Sequence, residues 1–243
     1  MKDNKDNVVY WGVPSGPGPF VPYILNVEDP SPLIIELKKL ATYLSSTKDD
    51  GFIRCPSVIG TTKNSYMIKS PIDIDITYDG NKITSTDDSQ LLIRDHKSGF
   101  MSLQFIKYIF FTEEDNLTMR IRNPHYNITD FTRKCSIIEG QFNIGQWFRG
   151  LDCAFYFRDP GTLTIRKGDP LFYVEFQTES RIKFQKFYFT TELAQIQQYC
   201  LQSKKYNNFP LVDYLESIYL LFRKSKMKSQ LLKNIKNNLL NES

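Results

Sequence analysis

Between Cys55 and Phe189 apolar residues recur at every second position, the period of a strand with one face buried. Ile72, Ile74 and Ile76 alternate with Asp73, Asp75 and Thr77. Leu117, Met119 and Ile121 alternate with Thr118, Arg120 and Arg122, and Phe172, Val174 and Phe176 with Tyr173 and Glu175. Arg181 to Phe189 reads as a further strand. Asp79-Gly80 suits a hairpin turn. In Arg166-Lys167-Gly168-Asp169-Pro170 the glycine supplies a positive φ and the Asp-Pro step starts an extended strand. The densest stretch, Gly140 to Phe189, sets short apolar strands between Gly, Pro and Asp turns. That pattern predicts a mainly β fold, a β-sandwich or distorted barrel, with about eight to ten mostly antiparallel strands.

The period changes at both ends. Leu33, Ile34, Leu37, Leu40, Ala41 and Leu44 predict an N-terminal helix that opens at Ser31 or Pro32, carries Glu36 in its first turns and ends before Lys48-Asp49-Asp50-Gly51. Thr190 or Thr191 caps a second helix with Glu192 in its first turn. Pro210 starts a third, with Leu211, Tyr214, Leu215, Ile218 and Leu221 on one face, expected to run unbroken through Lys233 and Lys236. Residues 1–32 hold Pro14, Pro17, Pro19, Pro22, Pro30 and Pro32, so no regular element is expected there. Three segments result: a Pro/aromatic-rich arm (1–32), a mainly-β domain with a leading helix (33–190), and a helical C-terminal appendage with a basic tail (191–243). No internal repeat is present.

At 243 residues the chain can bury a core that needs neither disulfides nor a metal. Aromatics reach 14 %, with 18 Phe and 14 Tyr, which favours strands. A net charge of +4 is too small for a nucleic-acid binder by bulk charge alone. Cys55, Cys135, Cys153 and Cys200 are widely spaced and only two histidines exist, which argues against a zinc knuckle or redox dithiol and for reduced thiols. Cys55-Pro56 reads as a buried small residue entering a strand. No apolar signal core follows the polar N-terminus, and the apolar runs fall far short of the roughly 20 residues of a membrane helix. A soluble, unsecreted protein with no membrane span is therefore expected.

Trp147, Phe148 and Arg149 follow Ile144-Gly145 and form the sharpest candidate site. A Trp beside an Arg offers a stacking face and a fork of donors for a base or phosphate. The alternative is that Trp147 anchors the core and Arg149 pairs with Asp152 or another carboxylate. Arg166 and Lys167, with Asp169, expose two cations that can meet an anion, or serve only turn chemistry. Asp73, Asp75 and Asp79 share a polar strand face, which suits solvent better than a metal because no histidine or calcium loop is near. His96 and His125 are candidate bases without a partner. Tyr10 and Trp11 belong to the aromatic arm and are expected to pack on the domain or a partner. From Arg223 to Lys236 six Lys or Arg occur with no acid. Arg223, Lys224, Lys226 and Lys228 are thus candidate contacts for nucleic acid or an acidic partner, or a solvated helix face. No Walker loop, dinucleotide Gly fingerprint, nucleophile elbow or His-Glu-x-x-His motif occurs, so no catalytic residue, metal or cofactor is implied.

Four pieces in order carry a resemblance: Tyr10-Trp11-Gly12, Cys55-Pro56 with Tyr66 to Asp73, Phe142 to Arg149, and Lys167 to Phe176. Over roughly residues 8–190 they resemble a protein family encoded by tailed phages, including those of marine bacteria, which has no assigned activity. The resemblance implies a phage origin and no mechanism. In that family the Arg after Trp-Phe precedes a Pro, whereas Gly150 stands here. Lys167 to Phe176 is also similar to a closing strand of the all-β fold of dUTPase and dCTP deaminase, whose nucleotide motifs are not recognisable here. The reading this supports is a phage accessory protein of non-catalytic binding type. It would act in the host cytoplasm on a host or phage protein or a small anionic ligand. The alternatives are a virion component and a nucleotide-handling enzyme that uses Trp147, Arg149 and Lys167.

Overall fold

The structure is a computed structural model that describes residues 6–14, 27–44, 53–87, 91–96, 100–202 and 214–240. In chain order these form β1 (Asn7–Gly12), β2 (Ser31–Pro32), α1 (Leu33–Leu44), α2 (Pro56–Thr62), β3 (Ser65–Lys69), β4 (Ile74–Tyr78) and β5 (Ile83–Ser85). There follow β6 (Leu91–His96), β7 (Phe100–Thr112), β8 (Thr118–Arg122), α3 (Asp130–Lys134), β9 (Cys135–Ile137) and β10 (Gly140–Asn143). The chain continues with β11 (Gly150–Phe157), β12 (Gly161–Ile165), β13 (Pro170–Phe176), β14 (Ile182–Lys186), α4 (Thr191–Gln202), α5 (Tyr214–Lys224) and α6 (Met227–Asn237). The mainly β fold is present as a sandwich of sheets, not a closed barrel. The described residues hold fourteen strands, more than expected, because several are only two to four residues long.

Two sheets carry the sandwich. The first runs β14-β1-β7-β11-β9, with β6 also on β7, and the second runs β10-β8-β13-β3-β2. A third, β12-β4-β5, adds Ile74, Ile76, Leu163 and Ile165 to the same core. All pairings are antiparallel except β1 with β14. Between the sheets Tyr66, Phe110, Phe176 and Phe184 meet edge to face at centroid distances of 4.7 to 6.4 Å, which adds directional packing to apolar burial.

Helices cover both outer faces. Leu33, Leu37 and Ala41 of α1 pack on Met67 and Tyr173 of the second sheet, a cluster apart from the main core. Tyr173 is therefore buried although its strand alternates, since both faces of that strand are covered. On the first sheet, Phe111 meets Phe148 at 5.6 Å and Phe222 of α5 at 6.1 Å. Leu231 and Ile235 of α6 are fully buried in that layer. Thr190 caps α4, its hydroxyl accepting from the Leu193 amide at 3.2 Å. The expected C-terminal helices are present and belong to the main core.

Three local expectations change. Residues 7–12, inside the supposed irregular arm, are β1, a strand between β14 and β7. Tyr10 and Trp11 are consequently buried, Trp11 to 1 % exposure, and neither presents itself to a partner. The last helix breaks at Lys226, whose φ of 55° separates α5 from α6 and lets each turn its own apolar face inward. Cys55 is exposed and precedes α2, with Pro56 in the first helical turn where its missing N–H costs nothing. The expected turns at Asp79-Gly80 and Gly168 hold: Gly80 has φ of 100° and Gly168 of 91°. The residues from Ser15 to Pro22, the turn at 48–51 and Pro210 lie outside the described residues. No described helix is long and apolar enough to cross a membrane.

Gly145 lies tight against the turn that follows β7. Its amide donates to Asn143 Oδ1 at 2.9 Å, and a Cβ there would stand 1.8 Å from the Glu114 carbonyl oxygen. The obstacle is backbone, so it cannot swing aside. Gly145→Ala is expected to lower unfolding free energy by more than about 2 kcal/mol, read by urea denaturation. A loss below about 0.5 kcal/mol, the scale of an ordinary surface change, would contradict this close approach.

Candidate functional site

The site is built where the helical layer stops. Pairing of β11 with β7 sets Gly150 opposite Ile109, Leu151 opposite Tyr108 and Asp152 opposite Lys107. The register then shifts, Cys153 facing Phe105, so Ile106 is an extra residue on β7. Leu151 and Tyr108 point to the second sheet, and Gly150, Asp152 and Lys107 therefore point to the helices. Past the bulge the same face continues with Ala154 opposite Gln104 and Leu92 opposite Gln104 from β6. Arg94 of β6 donates from Nε to Gln104 Oε1 at 3.2 Å.

Gly150 leaves a place at the wall. A Cβ there would lie 2.8 Å from Gln197 Nε2 of α4 and 3.6 Å from Lys107 Cδ. Gln197 is only 7 % exposed and makes no hydrogen bond among the described residues. Above it, Trp147 is 3 % exposed and donates from Nε1 to the Cys200 carbonyl at 3.4 Å. The Arg149 guanidinium lies 4.6 Å from the Trp147 ring centroid and 5.9 Å from that of Phe142. Arg149 Nε also donates to the Gly150 carbonyl at 3.1 Å. The guanidinium is thus held over the Trp147 ring in a cation–π contact.

Asp152 is partly buried, and burial pushes its carboxyl above the usual carboxylate range although Lys107, Arg149 and Arg94 pull it down. It makes neither a hydrogen bond nor an ion pair with a described residue. Three cations thus act on one carboxylate without pairing with it.

The structure brings three of the expected residues together here, Trp147, Arg149 and Asp152. Trp147 takes its alternative role: its face is occupied by Arg149 and its N–H by Cys200, so it is a core anchor and not a platform for a base. Arg166, Lys167 and Asp169 are elsewhere and engaged locally. Arg166 pairs with Asp75 at 3.1 Å, and its amide donates to Asp169 Oδ2 at 2.7 Å. The Lys167 amide donates to Asp73 Oδ1 at 2.7 Å, which also explains that polar strand face. Sequence reading missed Lys107, Gln197 and Arg94. Lys107 had a signal, a lone charge within Phe105-Ile106-Lys107-Tyr108-Ile109-Phe110-Phe111.

The basic tail is partly spoken for. Lys228 Nζ donates to the Glu113 carbonyl at 2.7 Å and to Asp115 Oδ1 at 2.5 Å, and Lys236 pairs with Glu113 at 2.7 Å. Arg223, Lys224 and Lys226 are exposed. Among other reactive groups, Cys135 and Cys153 are buried and their thiols pushed up, Cys135 to about 12, which suppresses the nucleophilic thiolate. His125 is exposed against Tyr126 at 4.2 Å, and the His96 side chain lies outside the described residues. No group of three His, Cys, Asp or Glu among the described residues is placed to hold a metal. Comparison with family models, curated proteins and solved structures finds no match to this chain.

Asp152 gives a pH signature. Its folded pKa is raised, so the folded state takes up a proton more readily than the unfolded chain. The cost of ionising it is fully present above the folded pKa and vanishes below the unfolded value near 3.9. Asp152→Asn is therefore expected to raise the melting temperature at pH 7, with a gain that fades as pH falls toward 4. Melting curves from pH 4 to 8 test this, and a gain that grows on acidification would reverse the assignment.

Proposed function

We propose that this chain is a non-catalytic binding protein whose ligand is a small anion held by Lys107, Arg149 and Arg94 beside Asp152. One observation carries the reading: Lys107 stands opposite Asp152 across the strands, and Lys107, Arg149 and Arg94 all act on this one half-buried carboxylate. Asp152 itself is half-buried, and charge there is screened less than on open surface. Arg149 lies over Trp147, a contact that reduces the side-chain freedom lost when it meets an anion. Sealing of Trp147 removes the base-stacking platform of the nucleotide-handling alternative. The tailed-phage resemblance would place such a protein in an infected host cell, where it sequesters or senses its ligand.

Thermal-shift titration with inorganic phosphate and phosphate esters tests the reading. At about 100-fold excess over the dissociation constant a ligand adds about 2.7 kcal/mol to stability. Lys107→Ala is expected to weaken binding by about tenfold or more, the scale of one lost charge-assisted hydrogen bond. A flat screen, or binding indifferent to Lys107→Ala, would overturn the proposal.

A further inference from the structure

We propose that the outer edge of β14 takes up an extended segment of a partner protein, antiparallel to the strand, in which apolar residues alternate with Asp or Glu. β14 ends the first sheet, and among the described strands it pairs only with β1. Its odd-numbered residues bond to β1: the Asn7 amide donates to the Arg181 carbonyl at 2.8 Å and the Phe187 amide to the Trp11 carbonyl at 2.9 Å. The peptide groups of Ile182, Phe184 and Lys186 therefore face the other way. One end of that outer edge already carries chain. The Leu240 amide donates to the Lys186 carbonyl at 2.9 Å and the Tyr188 amide to the Asn238 carbonyl at 2.8 Å, an antiparallel bridge between Phe187 and Leu239. No described residue bonds the outer peptide groups of Ile182 and Phe184. An open row of this kind is a template for a further strand.

Two features beside that row select the occupant. The first is apolar. Ile182 and Phe184 are half-buried against the main core, and the Phe184 ring meets Tyr66 at 4.7 Å. Tyr66 also lines a cleft of about 390 Å³ with Pro32, Ile34, Ile59 and Asn64. Asn64 Nδ2 donates to the Thr178 carbonyl at 2.7 Å and the Ser180 carbonyl at 2.9 Å, which sets the cleft beside the turn that enters β14. The second is charge. Residues 181–186 read Arg-Ile-Lys-Phe-Gln-Lys, with no acid. Arg181 and Lys183 are exposed, and their side chains make no hydrogen bond or ion pair with a described residue. Glu179, in the turn before them, pairs with Lys63. In an antiparallel addition the residues that bond Ile182 and Phe184 stand opposite them with side chains on the same face. Those positions meet the core face and are apolar, whereas the positions between them lie beside Arg181 and Lys183 and are acidic. A second copy of β14 is disfavoured, because it would bring the same cations together on one face.

Fluorescence anisotropy of the full chain with labelled synthetic peptides tests the pairing. A peptide that alternates valine with glutamate is expected to bind about tenfold or more tightly than one that alternates valine with lysine. N-methylation of its valine amides, which would face β14, should remove binding, whereas N-methylation of its glutamate amides should leave it. Lys183→Glu changes an exposed side chain and should weaken the glutamate peptide several-fold while strengthening the lysine peptide. Amide hydrogen exchange read by NMR supplies the position: saturating glutamate peptide should slow Ile182 and Phe184 about tenfold or more and leave Lys183, already bonded to β1, unchanged. Absence of binding, or binding indifferent to valine N-methylation, overturns strand addition. Equal affinity for the two peptides, or a preference unchanged in Lys183→Glu, overturns the acidic occupant. Self-association that slows the same two amides without peptide assigns the edge to a second copy and overturns the proposal as well.

Discussion

The structure depends on β7, a strand that must be apolar on both faces because both are covered. Over Tyr108 to Thr112 every side chain is buried. Tyr108 and Phe110 enter the aromatic layer between the sheets, while Ile109 and Phe111 lie under the helices. One edge of β7 carries β11, and the other carries β6 and then β1. Removing β7 would separate the sheet into fragments too short to hold a core. The strand also sets where charge can appear. Its bulge at Ile106 comes where the helical layer ends, and Lys107 is the first residue there with room for a polar head.

The candidate site follows from that boundary. Further along the same face of β7, Ile109 and Phe111 are fully buried, Phe111 against Phe222 of α5. At the boundary the Lys107 stem packs on Gly150 while its ammonium faces Asp152 across the strands. The same boundary half-buries Asp152, which is why burial outweighs three nearby cations in its titration. Gly150 is needed for the approach of α4: the Gln197 amide stands within 2.8 Å of where a Cβ would be.

What could be read from the chain is what one buried face writes into it. The strands around Ile74, Met119 and Val174, the Asp79-Gly80 and Gly168 turns, the Thr190 cap and α1 all obey local rules. β7 was invisible to the same rules because double burial erases alternation and its bulge shifts the phase. β1 was hidden by the prolines that follow it, although the strand itself contains none. Trp147 and Arg149 were legible as neighbours, but only the fold decides that the guanidinium, and not a ligand, covers the indole. Gln197 and Lys107 are ninety residues apart in sequence, and both stand against Gly150, a proximity no local pattern records.

The tail makes the same point about charge. A stretch from Arg223 to Lys236 without an acid reads as a cationic arm, yet its counterions come from the turn after β7. Glu113 is held by Tyr10 at 2.8 Å as well as by Lys236, and Asp115 by Lys228, so the lysines also fasten α6 against the sheet. Exposed pairs of this kind contribute little stability each, but they remove charge from the surface available to nucleic acid. Arg223, Lys224 and Lys226 stay in solvent, where their positions are loosely fixed and salt screens them. Lys107 and Arg149 differ in kind: glycine, indole and strand register hold them in place around a carboxylate. Selectivity for a small ligand requires that fixity, so the proposed anion site lies at the edge of the helical layer and not on the tail.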